Sequence, residues 1–159
     1  MSQELALKLE PNWCTIKDIW DVSVDFFGRE GLGPDAAYAL SMVTQELLEN
    51  AVKYGRFSSS DKIDLGMRIG EGDVTIEVKS PVSPDDDQLR HLDDTIQWIR
   101  GFQDPFEAYV DRLKLLSTQP QREGGSGLGL VRIAYEGQAI LDFYVDESGV
   151  LAISAVHRR

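Results

Sequence analysis

The sequence predicts an α+β two-layer sandwich: a mixed, mostly antiparallel sheet with helices on one face, plus a helical hairpin inserted at 84–117. Two observations carry this. The elements read β-α-α-β-β-α-α-α-β-β, without the regular βαβ alternation of a doubly wound sheet. Two pairs of alternating segments also flank short glycine-containing turns, as β-hairpins do.

Leu5, Leu7 and Leu9 alternate with Ala6, Lys8 and Glu10, a strand with one buried face. A helix is expected over about 15–29, with Ile16, Ile19, Trp20, Ser23 and Phe27 on one side, and Gly31-Leu32-Gly33 breaks it. Pro34 suits the first position of a second helix and Asp35 its positive end. Ala36, Leu40, Val43, Leu47 and Ala51 form its buried stripe, and it ends near Gly55. Strands at about 62–69 and 74–78 surround Gly70-Glu71-Gly72-Asp73. Ser83-Pro84-Asp85-Asp86 reads as a helix entry with a serine cap and a proline at the first position. Leu89, Leu92, Ile96 and Ile99 give that helix its apolar face, and Gly101 closes it. Asp104-Pro105 repeats the entry, followed by Phe106, Val110, Leu113 and Leu116 at helical spacing. A helix from about 127 to 136 ends at Gly137, and strands at 139–145 and 150–156 form the second hairpin.

At 159 residues the chain is long enough for one domain with a substantial core. Its net charge of −11 argues against DNA, RNA and anionic membrane surfaces, because phosphate contacts need cations. Met1–Glu10 lacks the features of a signal peptide, and no apolar run is long enough to span a bilayer. The single cysteine, Cys14, excludes an internal disulfide, fits a reducing cytoplasm and reads as a buried small hydrophobe. Trp13, Trp20 and Trp98 read as core or interface aromatics. Asp85-Asp86-Asp87 lacks calcium-loop spacing, and His91 and His157 lack partner ligands.

Two segments carry chemistry. Glu46, Asn50 and Lys53 share one stripe of the second helix, beside the core stripe through Leu47 and Ala51. Glu46 could take a proton from a hydroxyl or water, Asn50 could offer an amide oxygen to Mg²⁺, and Lys53 could neutralise phosphate. The same stripe also fits a solvated helical face with surface ion pairs. The second segment, Gly124-Gly125-Ser126-Gly127-Leu128-Gly129-Leu130, is a glycine-dense loop entering a helix, where backbone NH groups bind anions. A flexible turn is the alternative. Gly129 lies inside the expected helix, where glycine costs about 1 kcal/mol relative to alanine and so calls for a reason.

In combination and order, Glu46-x-x-x-Asn50 and Gly125-Ser126-Gly127-Leu128-Gly129-Leu130 resemble the N box and second glycine box of the GHKL (Bergerat-fold) ATPases. Chain length and the 45–55 segment look most like the stand-alone bacterial anti-sigma-factor serine/threonine kinases. The resemblance implies one histidine-kinase-like ATPase domain over 1–159, using ATP and Mg²⁺. It implies Glu46 as catalytic base, Asn50 as metal ligand, Lys53 near phosphate, and Gly125, Ser126, Gly127, Leu128 and Gly129 around the phosphates. It also implies a STAS-domain antagonist as phosphorylated partner, a sigma factor or phosphatase as further partners, and a homodimer in the cytoplasm. The family's Asp-x-Gly box, whose aspartate reads the adenine amine, is missing: Ser80 of Val78-Lys79-Ser80-Pro81 stands in its place. That departure leaves a second expectation open, a degenerate domain that binds a partner protein without chemistry.

Overall fold

Five strands form one open antiparallel sheet in the order β1-β2-β3-β5-β4. The structure is a computed structural model that describes residues 3–29, 31–83, 85–118 and 128–159. The strands are β1 (Gln3–Leu9), β2 (Ile63–Ile69), β3 (Asp73–Pro81), β4 (Ala139–Val145) and β5 (Val150–Arg158). The helices are α1 (Trp13–Arg29), α2 (Pro34–Tyr54), α3 (Asp87–Arg100), α4 (Pro105–Thr118) and α5 (Leu128–Tyr135). This is the expected element order.

The period-two pattern of each strand sends one side chain in two toward the helices. Register aligns these inward residues: Leu65 pairs with Val78, Ile76 with Ala155, and Leu141 with the same Ala155. All are buried, and the described helices close over this face. On the opposite side, Glu4, Arg68, Thr75 and Ile140 face outward. The β4–β5 turn uses Gly149 at φ 84°, with Asp146 accepting from the Ser148 and Val150 amides.

α2 is the central helix. Leu40, Val43, Leu47, Leu48 and Ala51 are buried, while Ser41 and Thr44 in the same stripe bond back to the Ala37 and Leu40 carbonyls. Its first-turn apolar anchor is Ala37 rather than Ala36. α1 lies antiparallel against it, tied by Gln45 Nε2 donating to the Ile16 carbonyl at 2.8 Å. Ile16, Ile19, Ser23 and Phe27 of α1 are buried as expected, and Trp20 is half-buried with its ring edge on Tyr38.

Several local expectations are corrected. Cys14 is exposed, because it falls on the solvent side of α1. Trp13 is 59% exposed, so it is no core residue. The α3 cap is Asp86, whose Oδ1 accepts from the Gln88 amide at 2.9 Å, and the helix starts at Asp87. Serine is displaced from that role by an acid that satisfies the same orphan amide. In α4 the expected apolar face is not the packed one: Phe106 and Leu113 are exposed, and Ala108 is buried. The α4 entry itself holds, with Asp104 Oδ1 accepting from Phe106 N at 3.0 Å.

Candidate functional site

The side of α2 next to its core stripe faces α5, and the two helices come close at Gly129. A Cβ built on Gly129 would overlap Glu46 Oε2, the end of a flexible side chain. Glycine therefore lets the Glu46 carboxylate lie against the first turn of α5, where any larger residue would turn it aside. One turn later, Arg132 Nη1 donates to Glu46 Oε1 at 3.3 Å. The same guanidinium reaches Glu136 Oε2 through Nε at 3.2 Å and Nη2 at 3.1 Å. Gly137 then lets the end of α5 approach α2, because a Cβ there would overlap Val43.

Glu46 is mostly enclosed, with a side-chain exposure of 18%. Burial pushes its carboxyl above the ordinary glutamate value, and Glu49 and Glu136 push the same way, against the pull of Arg132. A carboxylate poised upward is better suited to accept a proton near neutral pH than a free one.

Asn50 lies one turn further along. Its Nδ2 is buried with no hydrogen-bond partner, a state that costs desolvation free energy. Amide nitrogen and oxygen are interchangeable by rotation, so this side chain can offer either a donor or a hard oxygen ligand. Lys53, on the next turn, is half-buried beside the Tyr54 ring, 5.2 Å from ammonium to centroid. Burial lowers its pKa below the ordinary lysine value.

Ser80 is 2% exposed on the inward face of β3. The end of β3 and the end of α2 are joined through the Arg56 amide, which donates to the Pro81 carbonyl at 2.8 Å. The Arg56 guanidinium meets Asp86 Oδ2 at 2.7 Å. Asp86 is thus engaged by both its oxygens, in the helix cap and in this ion pair. Of the sequence-expected residues, Glu46 and Gly129 are in immediate contact, and Asn50 and Lys53 continue the Glu46 stripe. Ser80 lies on the sheet at the far end of α2, and Leu128 opens α5. Gly125, Ser126 and Gly127 lie outside the described residues.

Two contributors were not visible as such in the sequence. Arg132 is the cation on Glu46. Tyr109 of α4 stacks on Tyr135 of α5 with centroids 5.2 Å apart. The hairpin therefore divides in two. Leu89, Leu92, Ile96 and Ile99 of α3 belong to the core, whereas α4 lies over α5. Arg112 of α4 stacks on Trp98 of α3 at 4.9 Å, and its buried Nε has no hydrogen-bond partner.

Among the described residues no cluster of His, Cys, Asp and Glu is arranged to hold a metal. His157 is engaged with the Gly137 carbonyl, 2.9 Å from Nδ1. No helix among the described residues is long and apolar enough to cross a membrane.

The family model described as histidine kinase-like ATPase domain matches residues 14–136. Among solved structures, a chain of the SiaB–SiaC complex from Pseudomonas aeruginosa superposes with a TM-score of 0.73 at 19% identity. The match covers 96% of this chain and 88% of that one. No curated protein matches the sequence.

Proposed function

Since the chain belongs to the histidine kinase-like ATPase domain family, we propose that it is an ATP-dependent serine/threonine protein kinase. Its substrate is a STAS-domain antagonist protein, and its role is that of a partner-switching regulator. The observation that carries this reading is the Glu46–Gly129 contact, which puts an enclosed carboxylate of raised pKa at the first turn of α5. The likeness to a chain of a two-protein complex is in keeping with a partner protein.

The residues present fit magnesium-ATP. Asn50 has a buried amide nitrogen in need of a partner, and rotation turns its oxygen into a metal ligand. Lys53 places a half-buried ammonium one turn away for phosphate charge. Gly125, Ser126, Gly127 and Leu128 would supply backbone NH groups ahead of α5. The Ser80 hydroxyl would meet the adenine amine. Bound magnesium-ATP supplies an electrophilic terminal phosphoryl group, with ADP as leaving group.

Glu46 would accept the proton of the substrate hydroxyl and so make that oxygen the nucleophile. Arg132 holds the Glu46 carboxylate in a fixed rotamer and, through Glu136, is itself held. α4 lies against α5 through Tyr109 and Tyr135. A sigma factor or phosphatase as further partner and a cytoplasmic location belong to the same reading.

One observation favours a second reading, a degenerate domain that binds protein without chemistry: an uncharged, 2% exposed Ser80 where an aspartate is expected. Calorimetric titration with ATP, with and without Mg²⁺, separates the two. Magnesium-dependent binding lost in Asn50→Ala, followed by Glu46-dependent phosphorylation of a purified STAS-domain protein, supports the kinase. Absence of binding at millimolar ATP favours the interaction module.

A further inference from the structure

β4 is an edge strand, and only half of its main-chain groups face a neighbour. Asp146 N donates to the Val150 carbonyl at 3.0 Å, so these two residues form a bonded pair. In an antiparallel ladder bonded pairs recur at every second residue. The register therefore sends the main chain of Tyr144, Asp142 and Ile140 to Ala152, Ser154 and Val156 of β5. The N–H and C=O groups of Leu141, Phe143 and Val145 point the other way, off the sheet. Among the described residues one of these groups is engaged: Phe143 N donates to Asp142 Oδ1 at 2.9 Å. A neighbouring carboxylate thus stands where the carbonyl of a further strand would stand.

The inward side of the same strand opens along its length. Leu141 is buried, whereas Phe143 and Val145 are half-buried. Beside them, between β4 and the first turns of α3, lies a hollow of about 590 Å³. Leu89, Phe143 and Val145 give it apolar walls. Its charged lining is Asp85, Asp86, Asp93 and Asp146 against one cation, Arg90. Asp86 is engaged by Arg56 and the α3 cap, and Asp146 by its own turn. Asp85 and Asp93 form no ion pair among the described residues.

We propose that the β4 edge is a docking site for an extended basic segment of a partner protein, which adds to the sheet as a further strand and places an arginine or lysine side chain in this hollow. Strand addition draws affinity from main-chain hydrogen bonds and specificity from alternate side chains. The incoming carbonyl replaces Asp142 on the Phe143 amide. The inward side chain lays its aliphatic stem along Leu89, Phe143 and Val145 and sets its charge beside Asp85 and Asp93. Apolar walls with carboxylates at the rim match a long cationic side chain better than a short or purely apolar one. A second copy is a poor occupant, because it would bring the same acidic rim against this one. The site stands whether or not the chain transfers phosphate, because it uses none of Glu46, Asn50 or Lys53.

Fluorescence anisotropy of a labelled seven-residue peptide, the length of β4, tests this on the full chain. Arginine alternates in the peptide with valine and threonine. It is expected to bind, and the same peptide with glutamate in place of arginine is not. Asp85→Asn with Asp93→Asn weakens binding at least about tenfold. Asp18→Asn with Asp21→Asn, exposed on α1, makes the same change in net charge and leaves binding unchanged. Circular dichroism checks the fold of each variant. Two further peptides carry N-methyl groups on alternate amides, one on the odd set and one on the even. Alternate N–H groups of a strand point to the same side, so one of the two binds like the parent and the other at least about tenfold more weakly. Val145→Pro removes an outward N–H and none from the β5 ladder, and it also weakens binding. No binding at about 1 mM peptide overturns the proposal. So does binding that is indifferent to the Asp85 and Asp93 substitutions, or binding that both methylated peptides keep or lose alike. Self-association of the chain that Val145→Pro abolishes overturns it as well, since a second copy would then hold the edge.

Discussion

Gly129 and Glu46 constrain one another. Glycine in a helix forfeits about 1 kcal/mol relative to alanine, yet alanine here would displace the Glu46 carboxylate. Gly129→Ala therefore sets a gain of about 1 kcal/mol in helix propensity against the displacement of a flexible carboxylate from Arg132, and stability is expected to change by less than about 1 kcal/mol. Chemical denaturation checks the size, and in a Glu46→Ala background only the propensity gain remains, because the obstructing carboxylate is gone. Glu46 itself gives a pH test. Its pKa is raised in the folded state, so its contribution to stability is fully present below about 4.5, the ordinary value, and is lost as pH rises through the folded value. Glu46→Gln removes that loss. Its melting temperature should exceed wild type at pH 7–8, and the advantage should vanish near pH 4. The sequence placed Glu46, Asn50 and Lys53 on one stripe by helical spacing alone. Arg132 was also legible as a helical residue four before Glu136. Its pairing with Glu46, 86 positions away, depends on two helices meeting, which no local pattern encodes.

Element boundaries followed local chemistry where one candidate residue dominated and slipped where several competed. Asp104 was the evident cap for α4 and serves as such. Before α3 the sequence pointed to Ser83, and the structure uses Asp86. Its second oxygen pairs with Arg56 from the end of α2, so one side chain secures both the helix start and the loop. Asp86→Ala should cost about 1–2 kcal/mol, the range for a lost cap, and Asp86→Asn should recover the cap portion but not the ion pair. Urea denaturation of the three proteins separates the two parts. α4 shows the other limit. Phe106, Val110 and Leu113 have helical spacing, but the surface available to α4 is the Tyr135 side of α5. Ala108, Tyr109 and Arg112 pack instead, and Phe106 meets Tyr135 only at its tilted ring edge.

Across the whole molecule, a one-sided sheet separates two surfaces. The helix side holds the candidate nucleotide residues, and the other side exposes Ile140 and Tyr144 of β4. If magnesium-ATP binds the folded chain alone, saturation at a hundred times Kd adds about 2.7 kcal/mol and raises the melting temperature by roughly 5–10 °C. Thermal melts with ATP and Mg²⁺ should show that rise, and Asn50→Ala should abolish it. The hydrophobic periods and turn residues by themselves determined the element order, the leucine face of β1 and the helix stripe of Glu46, Asn50 and Lys53, because each depends on neighbours within a few turns of chain. Tertiary structure alone decided which oxygen capped α3, which face of α4 was packed, that Glu46 would lie against Gly129, and that Arg132 would sit on Glu46. Those choices turn on atoms brought together from distant parts of the chain, where excluded volume and unpaired charge, not local propensity, set the energy.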